Sequence, residues 1–159
     1  MRIAEKVGVG AVRFAILRVN PNKNVLFDWE SSLSFAGDTG PYVQYSCARI
    51  SSILRKYGDV PGDFDDEFPT DSNAEWALVT KLAGFPETVA TAVQQRNYAP
   101  IATYALELAR LFTAFYHDCP VLAAGSETLT RARVQVCAAT KQTLQNALGI
   151  LGIHALERM

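Results

Sequence analysis

Apolar side chains recur at three- and four-residue intervals through several stretches of this chain, and that spacing commits those stretches to helices. Val43, Cys47, Ile50 and Leu54 fall within about 60° of one another on a helical wheel, forming a stripe that must be buried. Tyr45, Arg49, Ser52 and Lys56 fall on the opposite side. Thr39 or Gly40 caps this helix, Pro41 suits its first turn, and Gly58 stops it after Tyr57. Val7, Val12, Ala15, Ile16 and Val19 are spaced for an earlier helix, whose start Gly8 and Gly10 weaken. Further on, Ser72-x-x-Glu75 reads as a capping box for a helix with Trp76, Val79, Leu82 and Ala83 inward, ended by Gly84. A shorter helix is predicted over 86–96. Another opens at Pro100 and runs to about His117, burying Ile101, Ala105, Leu108, Phe112 and Phe115. Ser126 caps a long last helix reaching about Leu151, with Leu129, Ala132, Val136, Ala147 and Ile150 inward.

Between the first two helices, Asn20-Pro21-Asn22-Lys23-Asn24 is a turn, and Val25 to Trp29 reads as a short strand or extended segment. The expectation is therefore an all-α, antiparallel helical bundle with a short extended arm near residues 18–30. Residues 1–38 form a connector packed on the bundle, and residues 39–159 form the bundle itself. At 159 residues the chain is long enough for a core that needs neither metal nor disulfide. Three cysteines without paired spacing fit a reducing cytoplasm. No apolar run reaches membrane-spanning length.

The net charge of −1 conceals an uneven distribution. Seven acids and no Lys or Arg lie between residues 58 and 75. The rest of the chain holds 15 bases against 9 acids, a net of +6. An acidic loop thus masks a mildly basic body, although charge alone favours the plainer reading of a solvated loop on an ordinary surface.

The residues offer little catalytic chemistry. His117 and His154 are the only histidines. His117-x-Cys119 lacks the second ligand pair of a metal site, and Cys119 has only His117 as a neighbouring base. Asp63, Asp65, Asp66 and Glu67 lack the glycine and terminal glutamate of a calcium loop. Gly8-x-Gly10-x-x-Arg13 carries Arg where a dinucleotide fingerprint needs glycine, and no strand precedes it. A surface remains. Tyr45 and Arg49, one helical turn apart and outside the buried stripe, pair an aromatic plate with a planar donor fork, the combination that reads unpaired RNA bases. A plain packing role for Tyr45 and an ion pair for Arg49 remain open alternatives at this point. His117 points away from the stripe of its helix, with Tyr116 at the core edge. Arg133, on the buried side of the last helix, is expected to pair with Asp118 or a helix C-terminus.

Phe35-x-Gly37-Asp38-Thr39-Gly40-Pro41-Tyr42-Val43-Gln44-Tyr45, continuing through Ala48-Arg49-Ile50 and Ser52-Ile53-Leu54-Arg55, resembles a segment of arginyl-tRNA synthetases that follows their catalytic core. Phe115 to Leu122, and Leu148-Gly149-x-Leu151-Gly152-Ile153 through Met159, resemble two later segments of that family, in the right order. The resemblance implies an all-helical anticodon-binding domain of the DALR type. It implies a part of an enzyme that joins arginine to its tRNA with ATP and magnesium. The class I signatures of the H-I-G-H and K-M-S-K types are not in this sequence, so the chain is expected to be inactive alone and to hold no cofactor itself. The implied partners are the anticodon loop of an arginine tRNA and the catalytic core of the same protein, in a cytoplasmic monomer. Carried over residue by residue, the anticodon contacts are Tyr45, Arg49, His117 and Met159, with Tyr116 as the neighbour to weigh against His117. Ser52 and Lys56 are candidates for the RNA backbone. Asp38 stands where the family more often has Asn, which reads as a changed cap. Other readings are a helical protein-interaction module, the equivalent domain of another class I synthetase, and an independent enzyme using Cys119 and His117.

Overall fold

The computed structural model describes residues 2–58, 60 and 72–159. Most of the acidic segment, with the cation reading placed on Asp63, Asp65, Asp66 and Glu67, lies outside the described residues. Within them the chain is all helical: α1 (Ile3–Leu17), α2 (Trp29–Leu33), α3 (Gly40–Tyr57), α4 (Asn73–Ala83), α5 (Phe85–Gln95), α6 (Ala99–Asp118) and α7 (Glu127–Ile150). Helix α3 sits at the centre, packed on α1, α6 and α7, while α4 and α5 lie against α6.

The local signals explain most boundaries. Thr39 is the N-cap of α3, its hydroxyl accepting from Tyr42 N at 3.1 Å, and Gly58 ends the helix in the left-handed region at φ 96°. Val43, Cys47 and Ile50 are completely buried. All five residues assigned to the stripe of α6 are fully buried too, and Ser126 caps α7 by accepting from Leu129 N at 3.2 Å.

Several expectations change. Of the two readings of the segment before Trp29, the strand is not formed over residues 24–28 and the extended one stands; Asp28, itself extended, starts α2 as its carboxylate accepts from Ser31 N at 2.8 Å. Asp38 does not cap α3 and instead pairs with Arg110 on α6. On α4 the buried side chains are Glu75 and Leu78, while Trp76 stands 64% exposed. Ser72 caps that helix as expected, accepting from Ala74 N at 3.1 Å, but Glu75 turns inward to meet Arg133. On α7 Ala132, Val136 and Ala147 are buried, whereas Ile150 is exposed and Leu129 only half-buried; Val134, Cys137, Leu144 and Leu148 complete the inner face.

A further change concerns α1, whose packed face is Gly10, Ala11 and Phe14 rather than the valine series. Its glycine is a contact, and Gly40 at the start of α3 is its counterpart. A Cβ on Gly40 would lie 2.7 Å from the Gly10 carbonyl oxygen and 2.8 Å from Phe14 Cβ. Backbone meets backbone there, so the clash cannot be relieved by turning a flexible side chain. Gly40→Ala is expected to push α1 off α3 and destabilise the chain by about 1–3 kcal/mol, measured as a lower midpoint in urea unfolding. An unchanged midpoint would show that the two helices do not meet this closely.

Candidate nucleic-acid interface

The capped start of α3 sets the rotational phase of that helix, and the phase decides which residues leave the core. Tyr45 emerges 39% exposed, and Arg49 follows one turn later. Arg49 Nη2 donates to the Tyr45 hydroxyl at 3.0 Å, and its guanidinium carbon lies 4.8 Å from the centre of the Tyr45 ring. The same guanidinium lies 5.5 Å from the ring of Tyr116, near the end of α6. Two aromatic rings therefore share one cation, which stiffens all three side chains in the free protein. Phe112, fully buried one turn before Tyr116, stacks against it at 6.1 Å between centroids. The Tyr42 hydroxyl and Thr113 Oγ1, 3.0 Å apart, join α3 to α6 on the same flank.

Tyr45, Arg49 and Ser52 line an open cleft of about 410 Å³ with Ala48, Arg55, Glu157, Arg158 and Met159. Its far side is the carboxy-terminal segment. That segment turns at Gly152 (φ 66°), buries Ile153 and Leu156, and lies back along α3. The side chains that line the cleft carry three guanidinium groups and one carboxylate, so their charge is net positive in a chain whose overall charge is negative. Such a lining attracts a phosphate backbone, and the half-exposed aromatics offer faces for unstacked bases.

The sequence-derived residues distribute unevenly around this cleft. Tyr45, Arg49, Ser52 and Met159 are brought together in it. Lys56 is exposed further along α3, outside the cleft lining. His117 is also outside it; its side chain is largely exposed and its Nδ1 lies 2.8 Å from Asp118 Oδ1. Tyr116, one position earlier, is the α6 side chain that meets Arg49. Arg55, Glu157 and Arg158 were not foreseen. Arg55 extends the series 45, 49, 52 by three more residues along one side of α3, a helical pattern visible in retrospect. Glu157 and Arg158 come to the cleft on a segment that meets α3 through the contact of Arg55 with the Glu157 carbonyl, 102 positions apart, which leaves no local trace.

The alternative chemistry finds no support in the geometry. Cys47, Cys119 and Cys137 are all buried, and burial pushes the Cys47 and Cys137 thiols up to about 12. Arg133 is structural, as expected, but its partners are Glu75 and the Pro120 carbonyl (3.0 Å) rather than Asp118.

Comparison with known proteins agrees with this arrangement. Residues 43–159 match the family described as the DALR anticodon binding domain. The chain is 40% identical over 157 residues to an arginine–tRNA ligase of Clostridium botulinum, covering 99% of this chain and 28% of that protein. To the arginine–tRNA ligase of Pyrococcus abyssi it is 42% identical over 160 residues, covering 99% and 25%. The solved structure of Thermus thermophilus arginyl-tRNA synthetase superposes with a TM-score of 0.89 at 37% identity, covering 98% of this chain and 27% of that one. The chain thus spans little more than a quarter of the length of these relatives.

Proposed function

Because the chain belongs to the DALR anticodon-binding domain family, we propose that its cleft holds the middle base of an arginine tRNA anticodon, within a longer protein that joins arginine to that tRNA. The supporting observation is the guanidinium of Arg49 set between the rings of Tyr45 and Tyr116 at the edge of a positive cleft. All arginine codons carry G at the second position, so the middle anticodon base is always cytosine. Cytosine offers a donor at N4 and acceptors at O2 and N3. Tyr45 supplies the stacking face. Arg49, already oriented by the Tyr45 hydroxyl, donates to O2, N3 or a flanking phosphate. A carbonyl of the carboxy-terminal segment accepts from N4, and Met159 closes the apolar side.

This chain's own contribution is to bind and orient the anticodon loop. Activation of arginine with ATP and magnesium belongs, in this reading, to the remainder of the longer protein, and no residue described here is assigned to either. Residues 1–38 connect to that remainder. Leu26, Trp29 and Phe35, all more than half exposed, are the apolar side chains that such a neighbour would cover. Among the described residues no helix is long and apolar enough to cross a membrane. A cytoplasmic monomer is the setting that goes with the proposal.

The test is binding of an anticodon stem-loop by the full chain, with the middle base as C or as U, at two salt concentrations. Replacing C by U is expected to cost about tenfold or more, the loss of one well-placed base contact. Affinity should also fall with salt at a log–log slope of about −0.7 per neutralised single-strand phosphate. Equal affinity for both bases, or binding that salt does not weaken, would count against an anticodon pocket and for apolar docking of a protein.

A further inference from the structure

We infer that Arg55 and Lys141 are positioning residues for the cleft, acting through Glu157 to hold Met159 in place; the inference rests on the anticodon reading above. The carboxy-terminal segment is gripped at successive points by side chains from three helices. Arg13 of α1 donates to the Gly152 carbonyl. Gln44 of α3, completely buried, donates to the His154 carbonyl at 2.8 Å. Arg55 of α3 donates to the Glu157 carbonyl at 3.1 Å, and Lys141 of α7 reaches the Glu157 carboxylate at 3.3 Å. Glu157 is thus held at both its backbone and its side chain, by two different helices.

Its place in the chain gives that grip its consequence. Arg158 and Met159, which line the cleft, are the next two residues. An extended chain advances at most ~3.6 Å per residue, so a fixed Glu157 confines Met159 to within about 7 Å of it. With Glu157 released, the nearest hydrogen-bonded anchor is the His154 carbonyl, five residues back, and only the packing of Leu156 restrains the rest. Met159 could then sample positions well outside the pocket, and the wall that distinguishes one base from another would be lost. Of the two grips, the Arg55 bond has a fixed carbonyl as acceptor. The Lys141 pair involves a largely exposed carboxylate, so its contribution is the smaller.

Arg55 also lines the cleft, and a simple phosphate contact would be the competing explanation. The two roles differ in what they do to base preference. Losing a phosphate contact weakens all sequences alike, whereas loosening a pocket wall lowers the ratio between right and wrong bases. The experiment measures affinity for the C and U stem-loops with the wild-type chain, Arg55→Ala, Arg55→Lys, Lys141→Ala, a variant lacking residues 158 and 159, and the Arg55→Ala substitution combined with that deletion.

Arg55→Ala is expected to lower the C-over-U ratio by roughly three- to tenfold, the size of one ordinary hydrogen bond. Lys141→Ala should lower it about twofold, and Arg55→Lys should retain most of it. The deletion should reproduce the Arg55→Ala loss, and the combined variant should lose no more than the deletion alone, because both act on the same wall. An equal loss for both stem-loops in Arg55→Ala, or losses that multiply in the combined variant, would overturn the inference. A wild-type chain that shows no preference for C would instead overturn the anticodon reading, and this inference with it.

Discussion

Tyr45→Ala is expected to weaken binding of an arginine anticodon stem-loop by about one to two decades, since stacking a base on an aromatic ring contributes roughly 1–3 kcal/mol. The loss has two parts. The base loses its plate, and Arg49 loses both the hydroxyl it donates to and one of the two rings that flank its guanidinium. Arg49 then has to be ordered when RNA binds rather than beforehand, which adds an entropic cost to association. Tyr45→Phe separates the two parts. It keeps the plate and the cation–π contact and removes only the hydroxyl, so its effect should be a few-fold at most. Neither change should disturb the fold, because Tyr45 is partly exposed and the stripe of α3 that enters the core is Val43, Cys47 and Ile50. Anisotropy of a labelled stem-loop, with thermal melting as the control for folding, measures all of this. If Tyr45→Phe lost as much as Tyr45→Ala, the hydroxyl and not the ring would be the recognition element. If Tyr45→Ala bound like wild type, the base would not be stacked on this ring.

What could be read from the residues alone follows from how far the deciding contacts reach along the chain. Helix α6 was legible because five large apolar residues at helical spacing leave one possible inner face. The outward placement of Tyr45 and Arg49, the first exposed and the second half-buried, follows from the same arithmetic applied to α3. Helix α4 was misread because Trp76 is apolar and Glu75 is not. The face was settled by Arg133, 58 residues away, which makes a buried carboxylate acceptable and turns the tryptophan outward. Gly10 reads as a weakness of α1 in the sequence, but Gly40 opposite it makes it the point where the two backbones meet. Within the site, the difference between Tyr116 and His117 is a rotation of about 100° on one helix. The i to i+4 step from the deeply buried Phe112 to Tyr116 was the available signal, and it points to the tyrosine. The grip of Arg55 on Glu157 had no local signature, because a tail that folds back on a helix can choose among many partners.

Removing one partner of the buried pair between Glu75 and Arg133 should be strongly destabilising. Glu75 is fully buried and Arg133 is 6% exposed, so neither charge is relieved by water. Arg133 Nε donates to Glu75 and Nη1 donates to the Pro120 carbonyl, tying α4, α7 and the turn after α6 at one point. Removing the carboxylate leaves a guanidinium stranded in the interior, and breaking such a pair costs about 3–5 kcal/mol. For a domain of this size that is a drop in melting temperature on the order of 10 °C in Glu75→Ala. The attraction itself is offset by the cost of desolvating both ions, so replacing the two together is a different matter. Glu75→Leu with Arg133→Met, which removes both charges and keeps most of the volume, should recover most of the loss. Thermal and urea unfolding of the two single variants and the double variant complete the cycle. A single variant within 1 kcal/mol of wild type would mean that the pair is hydrated in solution. A double variant as unstable as Glu75→Ala would mean that the specific hydrogen bonds, including the one to Pro120, outweigh the electrostatic penalty they answer. In either event binding of the anticodon stem-loop well below the melting transition should be unchanged, because the cleft is built on α3, the end of α6 and the carboxy-terminal segment, and neither Glu75 nor Arg133 is among its lining residues.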